Sequence, residues 1–168
     1  EQLMEEVAAH RDLTYAEAGD LATRFEPVAT RELLENLRRS YYRRDVAMGR
    51  SIMLGEVWDD RIMTDSRLLA RVLGNMLKNA LEAVQPGGIV TLHCRKQDDR
   101  VAFAVHNPGV IPQQVQHQIF QRSFTTKGQI GRGIGTHSMK LLGERYLGGR
   151  VAFASSASAR RCGCRRFS

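Results

Sequence analysis

Residues 65 to 84 read Asp65-Ser-Arg-Leu-Leu-Ala-Arg-Val-Leu-Gly-Asn75-Met-Leu-Lys-Asn79-Ala-Leu-Glu-Ala-Val84. Leu68, Leu69, Val72, Leu73, Met76, Leu77, Ala80, Leu81 and Val84 recur at spacings of three and four, which predicts a long amphipathic helix. Asp65 is placed to cap its start, and Gln85-Pro86-Gly87-Gly88 stops it. Asn75, Asn79 and Glu82 share one face of this helix, with Lys78 beside them. Asparagine is a weak helix former, so two on one face invite an explanation. An amide oxygen is a hard, neutral ligand suited to a metal that also holds phosphate oxygens. A solvated polar face accounts for the same residues, and the helix alone leaves both readings open.

On either side of this helix the pattern alternates between strand and helix. Ser51 to Leu54 and Arg61 to Thr64 read as short strands with Trp58-Asp59-Asp60 turning between them. Ile89 to Arg95 and Arg100 to Val105 read as two more, and the alternation of Val90, Leu92 and Cys94 predicts one buried face. A last strand is expected over Arg150 to Ala154. Thr30 is read as the N-cap of a helix bearing Leu33, Leu34, Leu37 and Tyr41. A short helix is expected around Gln113 to Ile119, and another holding Met139, Leu142 and Leu147. Residues 1 to about 24 read as the end of a longer helix rather than a core element, separated by Phe25-Glu26-Pro27. Together these predict an α+β, two-layer sandwich: a mixed sheet with helices on one face.

Bulk properties exclude several classes. The chain has 168 residues, 42% hydrophobic and 26% charged, which suits one soluble domain with a short extra element. No apolar run approaches the roughly 20 residues of a membrane span, and the acidic start has no signal-peptide pattern. The chain starts at Glu1, and it is read as a piece of something longer, with membrane segments only in parts not given. The net charge is +7, but Arg160, Arg161, Arg165 and Arg166 crowd the end, and without those four it is +3. With the basic excess concentrated in that tail, nucleic acid is not the expected partner. Cys94 is expected to be a buried thiol, and Cys162-Gly163-Cys164 lacks CxxC spacing. The odd cysteine count points to a reducing, cytoplasmic setting.

Three further stretches have chemical potential. Asn107-Pro108-Gly109 follows a strand; glycine permits close backbone approach, and the Asn amide offers a donor and an acceptor. By itself the stretch is equally a plain turn. Phe120 to Lys127 places two aromatics around a polar run ending in Thr125, Thr126 and Lys127. Gly131-Arg132-Gly133-Ile134-Gly135, at the end of a lid running from Gly128, precedes a helix starting near Thr136. Backbone N–H groups at a helix start favour phosphate, although a lone GxGxG is weak evidence.

The order of the four stretches is specific. Asn75 to Ala83, Asn107 to Gly109, Phe120 to Lys127 and Gly131 to Gly135 resemble the N, G1, F and G2 boxes of the ATP-binding catalytic domain of bacterial sensor histidine kinases, in the superfamily shared with gyrase, Hsp90 and MutL. The resemblance covers about residues 28 to 156 and implies a Bergerat-type fold with ATP and Mg²⁺. It implies that Asn79 coordinates magnesium, with Asn75, Lys78 and Lys127 positioning phosphate. It places Asn107, Gly109 and Ile111 around adenine, and Phe124, Thr126, Lys127, Gly131, Arg132, Gly133, Ile134 and Gly135 in the lid. Asn107 stands where the family has an aspartate, and the G1 stretch looks one residue short before Ile111. Asn75 stands where the gyrase, Hsp90 and MutL ATPases resemble one another in having a glutamate base, so the resemblance implies phosphoryl transfer rather than hydrolysis.

His10 is the one histidine of the first helix, but His10-Arg-Asp-Leu is not the family's acceptor box. The implied acceptor is therefore a histidine on a dimerisation domain outside the fragment, within a full-length homodimer that passes phosphate to a response regulator receiver domain. The alternative is a nucleotide-binding or partner-binding regulatory module without kinase activity. The expected division is 1–25, end of a dimerisation-type helix; 26–156, ATP-binding domain; and 157–168, an irregular tail without the family's closing strand.

Overall fold

A computed structural model describes residue 11 and residues 13–109 and 134–155. The expected helix at 113–119, the Phe120 to Lys127 stretch, the lid up to Gly133, the tail, His10, Cys162 and Cys164 lie outside the described residues.

Among the described residues, after a helical stretch at 13–18, come in order β1 (Glu26–Ala29), α1 (Thr30–Tyr42), β2 (Ser51–Val57), β3 (Arg61–Thr64), α2 (Ser66–Ala83), β4 (Ile89–Gln97), β5 (Arg100–His106) and α3 (Ile134–Lys140). A π-helical turn, Leu141–Tyr146, continues α3. β2 pairs parallel with β4, and β4 pairs antiparallel with β5, so the expected mixed sheet is present. The two strands on either side of Trp58 do not pair with each other. β3 instead pairs antiparallel with β1, a strand that no local pattern predicts because Pro27 argues for a break. Proline is tolerated in so short an edge ladder.

The helices cover one face of the sheet. Leu33, Leu34, Leu37 and Tyr41 of α1 and Leu69, Leu73, Leu77 and Leu81 of α2 pack on Ile52, Val90, Leu92, Cys94 and Phe103. Each fully buried leucine is worth about 2 kcal/mol, and this tertiary packing, rather than intrinsic propensity, holds such helices together. Val90, Leu92 and Cys94 point inward as the alternation predicted, and all three are fully buried. Burial pushes the Cys94 thiol up to about 11, against a hydrogen bond with Thr30 that lowers it, so this sulfur is chemically quiet.

Of the two polar residues expected to cap helices, Asp65 caps α2 and Thr30 does not cap α1. Asp65 is buried; its Oδ1 accepts from the Leu68 N–H at 3.0 Å and its Oδ2 from the Arg24 N–H at 2.9 Å. Thr30 is not an N-cap. It is the first residue of α1, and Ala29 before it makes no side-chain cap. The Thr30 hydroxyl reaches the Trp58 and Asp60 carbonyls instead and accepts from the Asp60 N–H at 3.2 Å. The buried Thr30 hydroxyl is spent on backbone groups of the β2–β3 connection, and that use outcompetes capping.

Two other expectations change. The N-terminal helix does not run to 24: residues 13–18 are helical, and Gly19, at φ +90°, ends the segment in the left-handed conformation. Nor is it outside the core, since Leu13 and Ala16 are buried. Arg150 to Ala154 forms no strand. The Val151 N–H is spent on Glu144 Oε1 at 3.2 Å rather than on a ladder, while the Val151 side chain is buried.

The register of β2 against β4 shifts between Leu54 and Val57. At this irregularity the Glu56 N–H donates to His93 Nδ1 at 3.2 Å, a side chain taking the place of a ladder carbonyl. A Cβ at Gly55 would overlap the His93 ring. Burial, then Arg95 and His106, hold the His93 pKa below its usual 6.5, against an opposing pull from Glu56. A depressed histidine pKa means the unfolded chain takes up the proton more readily. The contribution to stability is therefore complete above pH 6.5 and falls away as pH drops from there through the folded-state value. Denaturant midpoints of wild type and His93→Gln at pH 7.5 and 5.5 check this: wild type loses more stability on acidification than the variant. Equal losses would show that His93 is not the group responsible.

Candidate functional site

Helix α2 faces two ways. One side joins the sheet core, and the other carries Leu68, Val72, Asn75, Asn79 and Glu82, which follow one another at steps of four and three residues. The lower part of this stripe is apolar. Leu68 and Val72 form a second core with Ala16, Met139, Leu142 and Val151. The upper part is polar: Asn75 and Glu82 are half-buried, while Asn79 and its neighbour Lys78 are exposed. The apolar part seats α3, and the polar part lies open just above it.

Seating α3 in this way brings two of the sequence motifs together. A Cβ on Gly135 would lie 3.9 Å from Asn75 Oδ1, so the glycine at the start of α3 abuts the first asparagine of α2. That spacing is ordinary van der Waals contact, and Gly135 has no left-handed φ. Among the described residues, therefore, nothing requires glycine at 135. A position beside a polar helix face where a Cβ would fit, yet which has none, leaves room for a ligand to approach the backbone. Gly135 also lies inside α3, which begins at Ile134 rather than near Thr136 as expected.

The third motif is held by the sheet. β5 packs against α2 and ends at His106, directly before Asn107. Asn107 is half-buried, and its amide folds back over Gly109, where a Cβ would stand 3.2 Å from Nδ2. Asn107 thus presents an amide hydrogen-bonding edge beside an open, side-chain-free backbone. Among the predicted site residues, Asn75, Lys78, Asn79, Asn107, Gly109 and Gly135 have described positions, and Ile134 is described in its backbone. Ile111, Phe124, Thr126, Lys127, Gly131, Arg132 and Gly133 lie outside the described residues. Among the described residues no group of three acidic, histidine or cysteine side chains gathers to hold a metal. A metal here would need neutral amide and phosphate oxygens, which is the donor set that Asn79 offers.

Sequence reading missed the residues that fix α3 from behind. His137 Nε2 lies 3.3 Å from Glu17 Oε1, and the Tyr146 hydroxyl donates to the Ala16 carbonyl at 2.7 Å. These contacts join positions more than a hundred residues apart, and no local pattern announces them.

The combination of sandwich, asparagine helix and abutting glycine defines a class. Residues 64–165, more than half of the chain, match the family of histidine kinase-, DNA gyrase B- and HSP90-like ATPases, and the chain belongs to that family. Similar proteins within it include a sensor protein and a histidine kinase. The chain is 33% identical to the sensor protein DivL of Caulobacter vibrioides over 86% of its own length, and 28% identical to the circadian input-output histidine kinase CikA of Synechococcus elongatus over 93%. It spans only about a fifth of those proteins, 19% and 22%. The solved mycobacterial sensor histidine kinase MprB superposes with a TM-score of 0.67 at 27% identity, covering 80% of this chain and 89% of that one. This is the ATPase domain of histidine kinases, a fold consistent with two-component signalling. Among the described residues no helix is long and apolar enough to cross a membrane.

Two glycines separate ligand space from packing space. A Cβ on Gly143 would lie 2.5 Å from Val151 Cγ2, inside the second core. Gly143→Ala is expected to cost about 1–3 kcal/mol by overpacking. Gly135→Ala is expected to leave stability unchanged or raise it by up to about 1 kcal/mol, since alanine is the better helix former. Thermal melts of the two variants check the contrast; a Gly135→Ala as destabilised as Gly143→Ala would mean that the fold, not a ligand, requires that glycine.

Proposed function

We propose that this chain binds ATP with Mg²⁺ and donates the γ-phosphoryl group to a histidine on a dimerisation domain of the same protein, outside this fragment. The observation that carries the reading is Gly135 abutting Asn75 at the polar end of the α2 stripe. The bare backbone at Gly135 and the amide face of α2 beside it would together line one wall of a phosphate site. Asn79, one turn further along and exposed, is positioned to take a magnesium ion shared with phosphate oxygens. Magnesium would neutralise charge on the phosphates. Lys78 and Lys127 are assigned to phosphate positioning, and Asn107 with Gly109 and Ile111 to adenine. Phe124, Thr126, Gly131, Arg132, Gly133 and Ile134 complete the lid in this reading.

Asn75 decides between transfer and hydrolysis. An amide at that position has no basic site to activate water. Phosphoryl transfer asks chiefly for positioning and charge neutralisation, which the asparagines, glycine amides and cations supply. The partners follow from that chemistry: a histidine-bearing dimerisation domain, a second copy in the full-length homodimer, and a response regulator receiver domain. The setting is cytoplasmic.

Titration with a fluorescent ATP analogue, with and without Mg²⁺, tests the site. Binding is expected to strengthen with Mg²⁺ and to lose that dependence in Asn79→Ala. Asn107→Asp, which restores a charged acceptor for the adenine amino group, is expected to tighten binding about fivefold to tenfold. An unchanged affinity would remove Asn107 from the adenine site. Labelled ATP mixed with the chain and a histidine-bearing dimerisation domain is expected to label the histidine. Binding without labelling would favour a regulatory module that holds nucleotide and transfers nothing.

A further inference from the structure

The helix that brings Gly135 to Asn75 is held from behind by residues far upstream of the family match, which begins at residue 64. Ala16 is fully buried in the second core with Val72, Met139 and Leu142. Its carbonyl accepts from the Tyr146 hydroxyl at 2.7 Å. The next residue, Glu17, places Oε1 3.3 Å from His137 Nε2. Where the segment ends, a Cβ on Gly19 would stand 3.1 Å from the Arg145 guanidinium. The C-terminal end of the segment therefore meets both α3, at His137, and the π-helical turn that follows it, at Arg145 and Tyr146.

His137 is two residues from Gly135 on the same helix, about 3 Å along its axis. A helix transmits displacement as a rigid body over that distance, so a shift of His137 is a shift of Gly135 relative to Asn75. Beside His137 in α3, Ser138 Oγ is buried with no hydrogen-bond partner among the described residues, and an unsatisfied buried hydroxyl marks a place of low local stability.

We propose that residues 13–18 are a positioning element of the nucleotide site, with Glu17 acting through His137, and Ala16 through Tyr146, to hold Gly135 against Asn75. Nucleotide occupancy and docking of the segment are then linked, each strengthening the other by the same factor. This rests on the nucleotide-binding reading above. It adds two positioning residues, Glu17 and Tyr146, that touch neither nucleotide nor metal.

The test uses the full chain as wild type, Glu17→Gln and Tyr146→Phe, with the Mg²⁺-loaded fluorescent ATP analogue and amide hydrogen exchange. Each variant is expected to bind roughly fivefold more weakly. In wild type, the analogue is expected to slow exchange over residues 13–18; in Asn75→Ala it is not. Should Tyr146→Phe fail to fold, the half-buried Glu17→Gln carries the affinity arm. Wild-type binding with both variants unchanged would overturn the linkage and leave the nucleotide site standing. Weaker variants without nucleotide-dependent protection of 13–18 would reduce the segment to a structural support and overturn it as well. A wild type that binds no nucleotide would overturn both readings.

Discussion

Helix α2 must satisfy two cores at once, and the rest of the structure is arranged around that demand. Its Leu69, Leu73, Leu77 and Leu81 close the sheet core, while Leu68 and Val72 seat α3 and the N-terminal segment. A helix buried on two sides has little surface left for polar residues. What remains is a narrow strip, and Asn75, Asn79, Lys78 and Glu82 occupy it. The strip continues the apolar stripe that anchors α3, so the packing that stabilises the domain also sets where the glycine of the lid meets the asparagines. Asp65 fixes the beginning of this helix by accepting from Leu68 and Arg24, tying its axis to the segment leading in from residue 24.

Seen in this way, the site is a by-product of packing rather than a separate construction. The fold positions Gly135 where no described residue forbids a side chain, and the sheet delivers Asn107 at the end of β5. Residues whose identity the fold does not require, gathered beside a helix strip the fold leaves free, are where a ligand's requirements are expressed. Gly143 shows the contrary case, where a Cβ would meet Val151 and the requirement for glycine is purely steric.

Much of this was legible in the sequence because it is periodic. The three-and-four spacing located α2 and its cap, and period two located β4 with its inward Val90, Leu92 and Cys94. The asparagine face was legible for the same reason. What was not legible depends on pairings between distant segments. β1 escaped because Pro27 argues for a break, and only its partner β3 makes it a strand. Thr30 looked like a cap because nothing local announces the carbonyls of Trp58 and Asp60. The expected strand at 150–154 is absent because Val151 finds Glu144 instead of a ladder. The most consequential omission is the seam of Ala16 and Glu17 with Tyr146 and His137, which turns an apparent leader into part of the core.

The central claim is that the polar end of α2 and the glycine start of α3 form one Mg²⁺–nucleotide site. A crystal structure of the chain with Mg²⁺ and a non-hydrolysable ATP analogue tests it most directly. The account predicts a magnesium ion coordinated by the Asn79 amide oxygen at about 2.1 Å, phosphates running between Asn75 and the backbone at Gly135, and the adenine amino group on Asn107. Nucleotide seated elsewhere, or a metal held without Asn79, would contradict it.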